Sequence, residues 1–261
     1  SDVAERIFDF NKKLIDTLYD VVPSVKVQIA YYEMYGAEGL KAYEATLKYA
    51  AEKGLVVIAD AKRNDIGSTA ACYSKAFLGE TEVNGARFSA FPSDFLTVNG
   101  YLGTDGIAPF VEDCAKRGKG IFVLVKTSNP SSGELQNLLL ENGTPVYEYM
   151  GGLVEKWGEP TAGRYGYSAV GAVVGATHPA EAASLRAKLP HTFFLIPGYG
   201  AQGGTAEDIA QYLAQGNGGV VNSSRSVLLA YKKQPGTAYA EAAYNECVHM
   251  KEAIADACSK L

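Results

Sequence analysis

The stretch Leu55-Val56-Val57-Ile58-Ala59-Asp60-Ala61-Lys62-Arg63-Asn64-Asp65-Ile66-Gly67-Ser68-Thr69 passes abruptly from an apolar run into a charged turn. Leu55 to Ala59 reads as a buried strand, being short, continuous and rich in β-branched residues. Residues i and i+2 of a strand share a side. Asp60 and Lys62 therefore point the same way as the strand ends, and Asp65 follows in the turn. Two carboxylates around one ammonium form a charge cluster where the chain has just left the core. Burying charge is costly unless the charges are paired, and such clusters recur where chemistry is done. A solvated polar turn after a strand is the plainer reading of the same residues.

Outward from this stretch, apolar strand-like runs recur at residues 25–30, 55–60, 94–99, 121–126, 169–174, 192–196 and 218–222. Helical patterns fall near residues 2–20, 37–53, 68–79, 106–117, 145–157, 179–188, 205–215 and 237–258. Alternating strand and helix predicts a parallel sheet of the α/β class. The chain opens on a helix, Ala4 to Tyr19, and its strands are one short of the eight in a closed (β/α)8 TIM barrel. Either the first strand is absent from this chain or the sheet is open. Every strand end is polar or glycine-rich. Barrel chemistry sits at the C-terminal strand ends, and the last two strand-to-helix turns often hold a phosphate. These ends favour a barrel lacking its first strand. The 261 residues suit a single barrel domain, residues 1–261, since such a domain takes about 250.

Composition narrows the function. A net charge of −5 argues against a general nucleic-acid binder, which would carry a basic surface. No apolar run approaches the ~20 residues that span a bilayer, and the N-terminus shows no signal-peptide pattern. Cys72, Cys114, Cys247 and Cys258 have no C-x-x-C spacing and read as packing thiols of a cytoplasmic protein. His178, His191 and His249 are scattered, and none pairs with a nearby ligand at metal-binding spacing, so no metal site is expected.

Further constellations stand at other strand ends. In Val25-Lys26-Val27-Gln28-Ile29-Ala30 the apolar residues share one face. A barrel packs its outer face on apolar helices, so Lys26 and Gln28 should point inward, with Asp60 and Asp65 as partners for Lys26. An edge strand with Lys26 in water is the alternative. The run Ile196-Pro197-Gly198-Tyr199-Gly200-Ala201-Gln202-Gly203-Gly204-Thr205 leads from a strand into a helix. Its glycines permit close backbone approach to a ligand, and free amides at a helix start favour an anion; a flexible turn is the alternative. Thr205 reads as an N-cap, with Asp208 three residues on. Arg225, after Val221-Asn222-Ser223-Ser224, offers a planar fork suited to phosphate or to a surface salt bridge. Ser128, in Lys126-Thr127-Ser128-Asn129-Pro130-Ser131-Ser132-Gly133, can bond a polar ring edge or simply cap a turn. The long segment after it reads as a lid. Tyr31, Tyr32 and Tyr35 can line a pocket or pack with a polar tip exposed.

Taken together, these runs resemble one family. Asp60-x-Lys62-x-x-Asp65-Ile66 is similar to the D-x-K-x-x-D-I signature of orotidine 5′-phosphate decarboxylase. The longer run to Thr69 resembles that family's longer bacterial subfamily, as do Val125–Ser132, Val170–Thr177, Ile196–Gly204 and Val221–Arg225. The resemblance covers nearly the whole chain in order. It implies a dimeric (β/α)8 barrel that decarboxylates orotidine 5′-monophosphate to UMP without metal or organic cofactor. It implies a tetrad of Lys26, Asp60, Lys62 and Asp65, with Asp65, Ile66 and Thr69 acting across the dimer interface. Ser128 would contact the pyrimidine and Pro197 would line the pocket. Gln202, the Gly203–Gly204 backbone and Arg225 would hold the phosphate. The family's ribose-binding aspartate lies on its first strand, and no residue here is assigned that role. Asn64 stands where the subfamily often has glycine, which a side chain tolerates unless φ is positive.

Overall fold

The structure is a computed structural model that describes residues 2–260. The chain divides into two compact units, residues 1–120 with 227–248, and residues 121–226 with 249–261.

The first unit runs α1 (Asp2–Leu18), β1 (Ser24–Gln28), α2 (Ala30–Glu33), α3 (Gly36–Glu52), β2 (Val56–Arg63) and α4 (Gly67–Phe77). It continues through β3 (Thr81–Val83), β4 (Ala86–Phe88), β5 (Phe95–Val98) and α5 (Thr104–Arg117). β1 pairs in parallel with β2, which sets Lys26 opposite Ile58 and Gln28 opposite Asp60. β2 pairs in parallel with β5. Val57, Ile58, Ala59, Leu96 and Val98 are buried, and α3, whose Tyr43, Leu47 and Ala50 are buried, packs against β2. The β2–β5 ladder is interrupted. Ala59 stands opposite Leu96 and Arg63 opposite Val98, so Asp60-Ala61-Lys62 bulges out against Thr97 alone.

The second unit carries β6 (Gly120–Lys126), α6 (Gly133–Gln136), α7 (Val146–Gly158), β7 (Val170–Val174) and α8 (Pro179–Lys188). β8 (Phe194–Pro197), α9 (Ala206–Ala210), β9 (Gly219–Asn222) and the single turn α10 (Arg225–Leu228) follow. β6, β7, β8 and β9 pair in parallel in chain order. β7 is buried along its whole length, the continuous apolar run that a parallel strand covered on both faces requires. The last helix, α11 (Tyr239–Ser259), packs Ala240 and Ala243 with Leu14 in the first unit and Ala257 with Ala206 and Ala210 in the second.

Most expected elements lie within a few residues of the observed ones. The helix expected at 205–215 is shorter, ending at Ala210. Tyr212 is buried with its hydroxyl donating to Gly175 O at 2.6 Å. Gln215 and Gly216 then take φ of +52° and +77°, which no helix accommodates. The hairpin β3–β4 was not expected; Asn84 and Gly85 at its tip both have positive φ. No helix among the described residues is long and apolar enough to cross a membrane.

Candidate active site

In the first unit the charges converge on Asp60. Because Gln28 is level with Asp60, Lys26 lies two residues below it on the neighbouring strand and on the same face. Lys26 Nζ donates to Asp60 Oδ2 and Lys62 Nζ donates to Oδ1 at 2.6 Å. The side chains of Lys26 and Asp60 are 11% and 8% exposed, whereas Lys62 is 45% exposed. Burial alone would raise the Asp60 carboxyl; the charges and hydrogen bonds of Lys26 and Lys62 outweigh it and hold the carboxyl below the usual carboxylate range. A buried carboxylate thus ties down one buried ammonium and one that reaches into the open. Lys26 is shielded from water, unlike the edge-strand alternative, and its partner is Asp60.

The backbone around this cluster is strained. Lys62 has φ +48°, a left-handed conformation that disfavours a side chain. Asn64 is not among the positive-φ residues, so the strain falls two residues before the position that the resemblance singled out. Thr97, buried on β5, accepts from the N–H groups of both Ala61 and Lys62 at 3.0 Å and donates to Asp60 Oδ1 at 3.0 Å. Arg63 donates to Glu33 Oε1 at 2.8 Å and lies over the rings of Tyr73 and Phe77.

Asp65 is not part of this cluster. Its Oδ1 accepts from the Ile66 N–H at 2.8 Å, and among the described residues it has no cation partner. Ile66 and Thr69 are exposed. So are Tyr31 and Met34 in and after α2 and Tyr101 and Leu102 after β5, large apolar side chains left in water. Tyr32, by contrast, is buried and accepts from Asn11 Nδ2 at 2.7 Å, a packing role.

In the second unit, β8 ends at Pro197 opposite Asn222 of β9. Gly198, Gly200 and Gly203 take φ of +108°, +71° and +100°, a path for which glycine is the natural residue. The Gly203 N–H donates to Gly200 O at 2.9 Å and the Gly204 N–H to Gly198 O at 3.3 Å. Both amides are thus turned to the loop's own carbonyls. Thr205 is the N-cap of α9, closing a reciprocal box with Asp208. Gln202 Oε1 accepts from Ser128 Oγ at 2.8 Å, so the loop after β8 meets the end of β6. A Cβ on Gly175 would lie 2.7 Å from Ser128 N, so glycine there is what lets Ser128 sit where it does. Arg225 is exposed, and among the described residues no carboxylate pairs with it; the surface salt bridge is not formed.

Four residues of these clusters were not anticipated from the sequence: Thr97, Lys126, Gln136 and Asn137. Thr97 is a polar residue inside an apolar strand, a signal visible in Phe95-Leu96-Thr97-Val98. Lys126 is fully buried, donates to Asn137 Oδ1 at 2.5 Å and lies over the Tyr147 ring. Gln136 bonds Thr127 twice, at 2.9 Å through its oxygen and 2.8 Å through its nitrogen. Nothing in the spacing of Gln136 and Asn137 announces their contact with β6. Among the described residues no group of three or more His, Cys, Asp and Glu side chains converges as metal ligands would. What the first cluster can do is place a fixed positive charge, backed by a buried anion, against a group that becomes negative during reaction.

Comparison with known proteins bears on this chemistry. A family profile described as "Orotidine 5'-phosphate decarboxylase / HUMPS family" matches residues 6–242. An orotidine 5′-phosphate decarboxylase from Clostridium kluyveri is 48% identical over 256 residues, covering 97% of this chain and 84% of the relative. One from Clostridium perfringens strain SM101 is 47% identical over 262 residues, covering 100% of this chain and 88% of the relative. Among solved structures, one from Streptomyces avermitilis, provisionally assigned to the same enzyme, superposes with a TM-score of 0.81 at 34% identity. It covers 97% of this chain and 82% of that one. The orotidine monophosphate decarboxylase of Leishmania donovani gives 0.76 at 29% identity, covering 96% and 89%. These likenesses make the fold an α/β barrel of the (β/α)8 type, and the described residues carry seven strands of its parallel sheet.

Proposed function

The chain belongs to the orotidine 5′-phosphate decarboxylase / HUMPS family, and on that premise we propose that this decarboxylase converts orotidine 5′-monophosphate to UMP and CO2 with no metal or organic cofactor. The observation that carries the reading is the arrangement around Asp60: one buried carboxylate held between the ammonium groups of Lys26 and Lys62. A family member that used this segment to hold a divalent metal would gain nothing from a lysine on each carboxylate oxygen.

Loss of CO2 from C6 of the pyrimidine leaves an electron pair in the ring plane, where the π-system cannot spread it. The protein must meet that charge electrostatically. Lys62 has this role. Its ammonium faces C6, and when the C6–CO2 bond breaks it gives a proton to the carbon that keeps the pair. Asp60 orients Lys62 and is itself kept ionised by Lys26. Asp65 completes the alternating tetrad in the site of a second copy, with Ile66 and Thr69 beside it. Its carboxylate, which among the described residues has no cation partner, and the exposed apolar side chains of Ile66, Tyr101 and Leu102 support a homodimer. Ser128 holds the pyrimidine edge and Pro197 lines its pocket. Gln202, the Gly203–Gly204 backbone and Arg225 take the phosphate. Because the two glycine amides are bonded inside the loop, the side chains of Gln202 and Arg225 carry most of that attraction. Phosphate binding is remote from C6 and serves to position the ring, which lowers the barrier without touching the reacting atoms. Both units form one barrel domain, working in the cytoplasm on a small nucleotide and on neither nucleic acid nor membrane.

The test is the fall in ultraviolet absorbance when orotidine 5′-monophosphate is added to the chain with EDTA present. Turnover undiminished by EDTA is the expected result. Turnover that EDTA abolishes and Mg²⁺ restores would overturn the cofactor-free mechanism. No turnover, together with no binding of UMP, would overturn the substrate.

A further inference from the structure

We propose that Thr97 is a positioning residue for the decarboxylase reaction: its hydroxyl holds the bulge that aims Lys62, and locks Asp60 beneath it. This rests on the reading of Lys62 and Asp60 given above and adds to it a residue on a different strand that touches neither substrate nor product.

The bulge creates a problem that ordinary pairing cannot solve. Between the Ala59–Leu96 and Arg63–Val98 register pairs, Asp60-Ala61-Lys62 faces a single residue of β5. The Ala61 and Lys62 amides have therefore lost their places in the ladder, and a partly buried amide left without an acceptor is destabilising. Thr97 supplies what the ladder does not. A threonine hydroxyl has one proton and two lone pairs. Here the lone pairs accept from the Ala61 and Lys62 N–H groups, each at 3.0 Å, and the proton goes to Asp60 Oδ1 at 3.0 Å. Every bond the group can make is used within the cluster.

Two consequences converge on Lys62. Its backbone is held at φ +48°, which an L-residue leaves readily unless the surroundings over-determine it; the bond from its N–H to Thr97 is one such constraint. Its ammonium shares Asp60 Oδ1 with the Thr97 hydroxyl, so the oxygen that orients Lys62 is itself oriented by Thr97. Thr97 is 1% exposed, which leaves no room for water to replace the hydroxyl. A valine there keeps the shape and removes all three bonds; a serine keeps the bonds and removes only the methyl.

The test compares Thr97→Val and Thr97→Ser in the full chain. For Thr97→Val, kcat falls about 10- to 100-fold, the scale of a displaced reacting group. The Kd for UMP changes by less than about threefold, because product binding draws on the phosphate and ring contacts. Thr97→Ser recovers kcat to within about threefold of the unmodified chain. A valine variant with unchanged kcat, or one that weakens UMP as much as it slows turnover, overturns the proposal. A second measurement needs no variant that folds. In the unmodified chain the Ala61 and Lys62 amides should exchange with solvent deuterium at least about tenfold more slowly than open-turn amides, and exchange at the open-turn rate overturns the proposal. Absence of turnover in the unmodified chain fails the decarboxylase reading and this role with it. Turnover in the unmodified chain that Thr97→Val leaves untouched fails Thr97 alone.

Discussion

Asp60 shows at the scale of one residue how burial and charge compete. Desolvation pushes its carboxyl up, and Lys26 and Lys62 bring it below the usual range. A carboxyl with a depressed folded value adds stability that is fully present above the unfolded pKa of about 3.9. That stability is lost as pH falls through the folded value. The difference in melting temperature between the unmodified chain and Asp60→Asn should therefore be widest near neutral pH and shrink below about pH 4. A difference that stays constant from about pH 7 to about pH 3 would show that the ion pairs contribute nothing to folding. Arg225 is the opposite case, an exposed cation with no carboxylate of its own among the described residues. Arg225→Ala should raise KM about 100-fold, the loss of a charge-assisted phosphate contact, and lower kcat by less than about tenfold. An unchanged KM would remove Arg225 from the phosphate site.

At the scale of elements, the order of strands and helices was legible because parallel strands buried on both faces leave continuous apolar runs, as in Val170-Gly171-Ala172-Val173-Val174. That Lys26 leaves the apolar face of β1 was legible from its period of two. The bulge in β2 was not, because its position depends on which β5 residue stands opposite, and a strand read alone does not carry its register. The β3–β4 hairpin had a signal in Asn84-Gly85, whose paired positive φ values suit a tight hairpin turn. Its three-residue strands are too short for alternation to be seen. The contacts of α6 were invisible for the same long-range reason. Gln136 and Asn137 fasten it to Thr127 and Lys126 at the end of β6, so it serves as the anchor of the segment that follows Ser128. The double variant Gln136→Ala/Asn137→Ala should make residues 129–145 at least about tenfold more susceptible to limited proteolysis, since local opening sets the cleavage rate. Unchanged cleavage would show that the segment is held elsewhere.

At the scale of the whole molecule, the homodimer proposed above has Asp65 completing the site of a second copy. If each site takes Lys62 from one chain and Asp65 from the other, Lys62→Ala and Asp65→Ala are both inactive as pure proteins. Co-expressed, they reassort so that half the dimers are mixed and each mixed dimer has one intact site. About a quarter of the unmodified activity should return. No recovery from a mixture that sedimentation shows to be dimeric would sink the sharing of sites. The left-handed backbone at Lys62 has another kind of consequence. One position is asked for two things that no single amino acid supplies: a long cationic side chain, and a φ at which a Cβ costs about 1–2 kcal/mol. Selection for a sturdier fold pulls the backbone at this codon toward glycine, while the proton-donor role proposed for Lys62 pulls it toward lysine. Lineages kept for growth on this enzyme would retain the lysine and collect their stabilising changes elsewhere, leaving position 62 as a standing compromise.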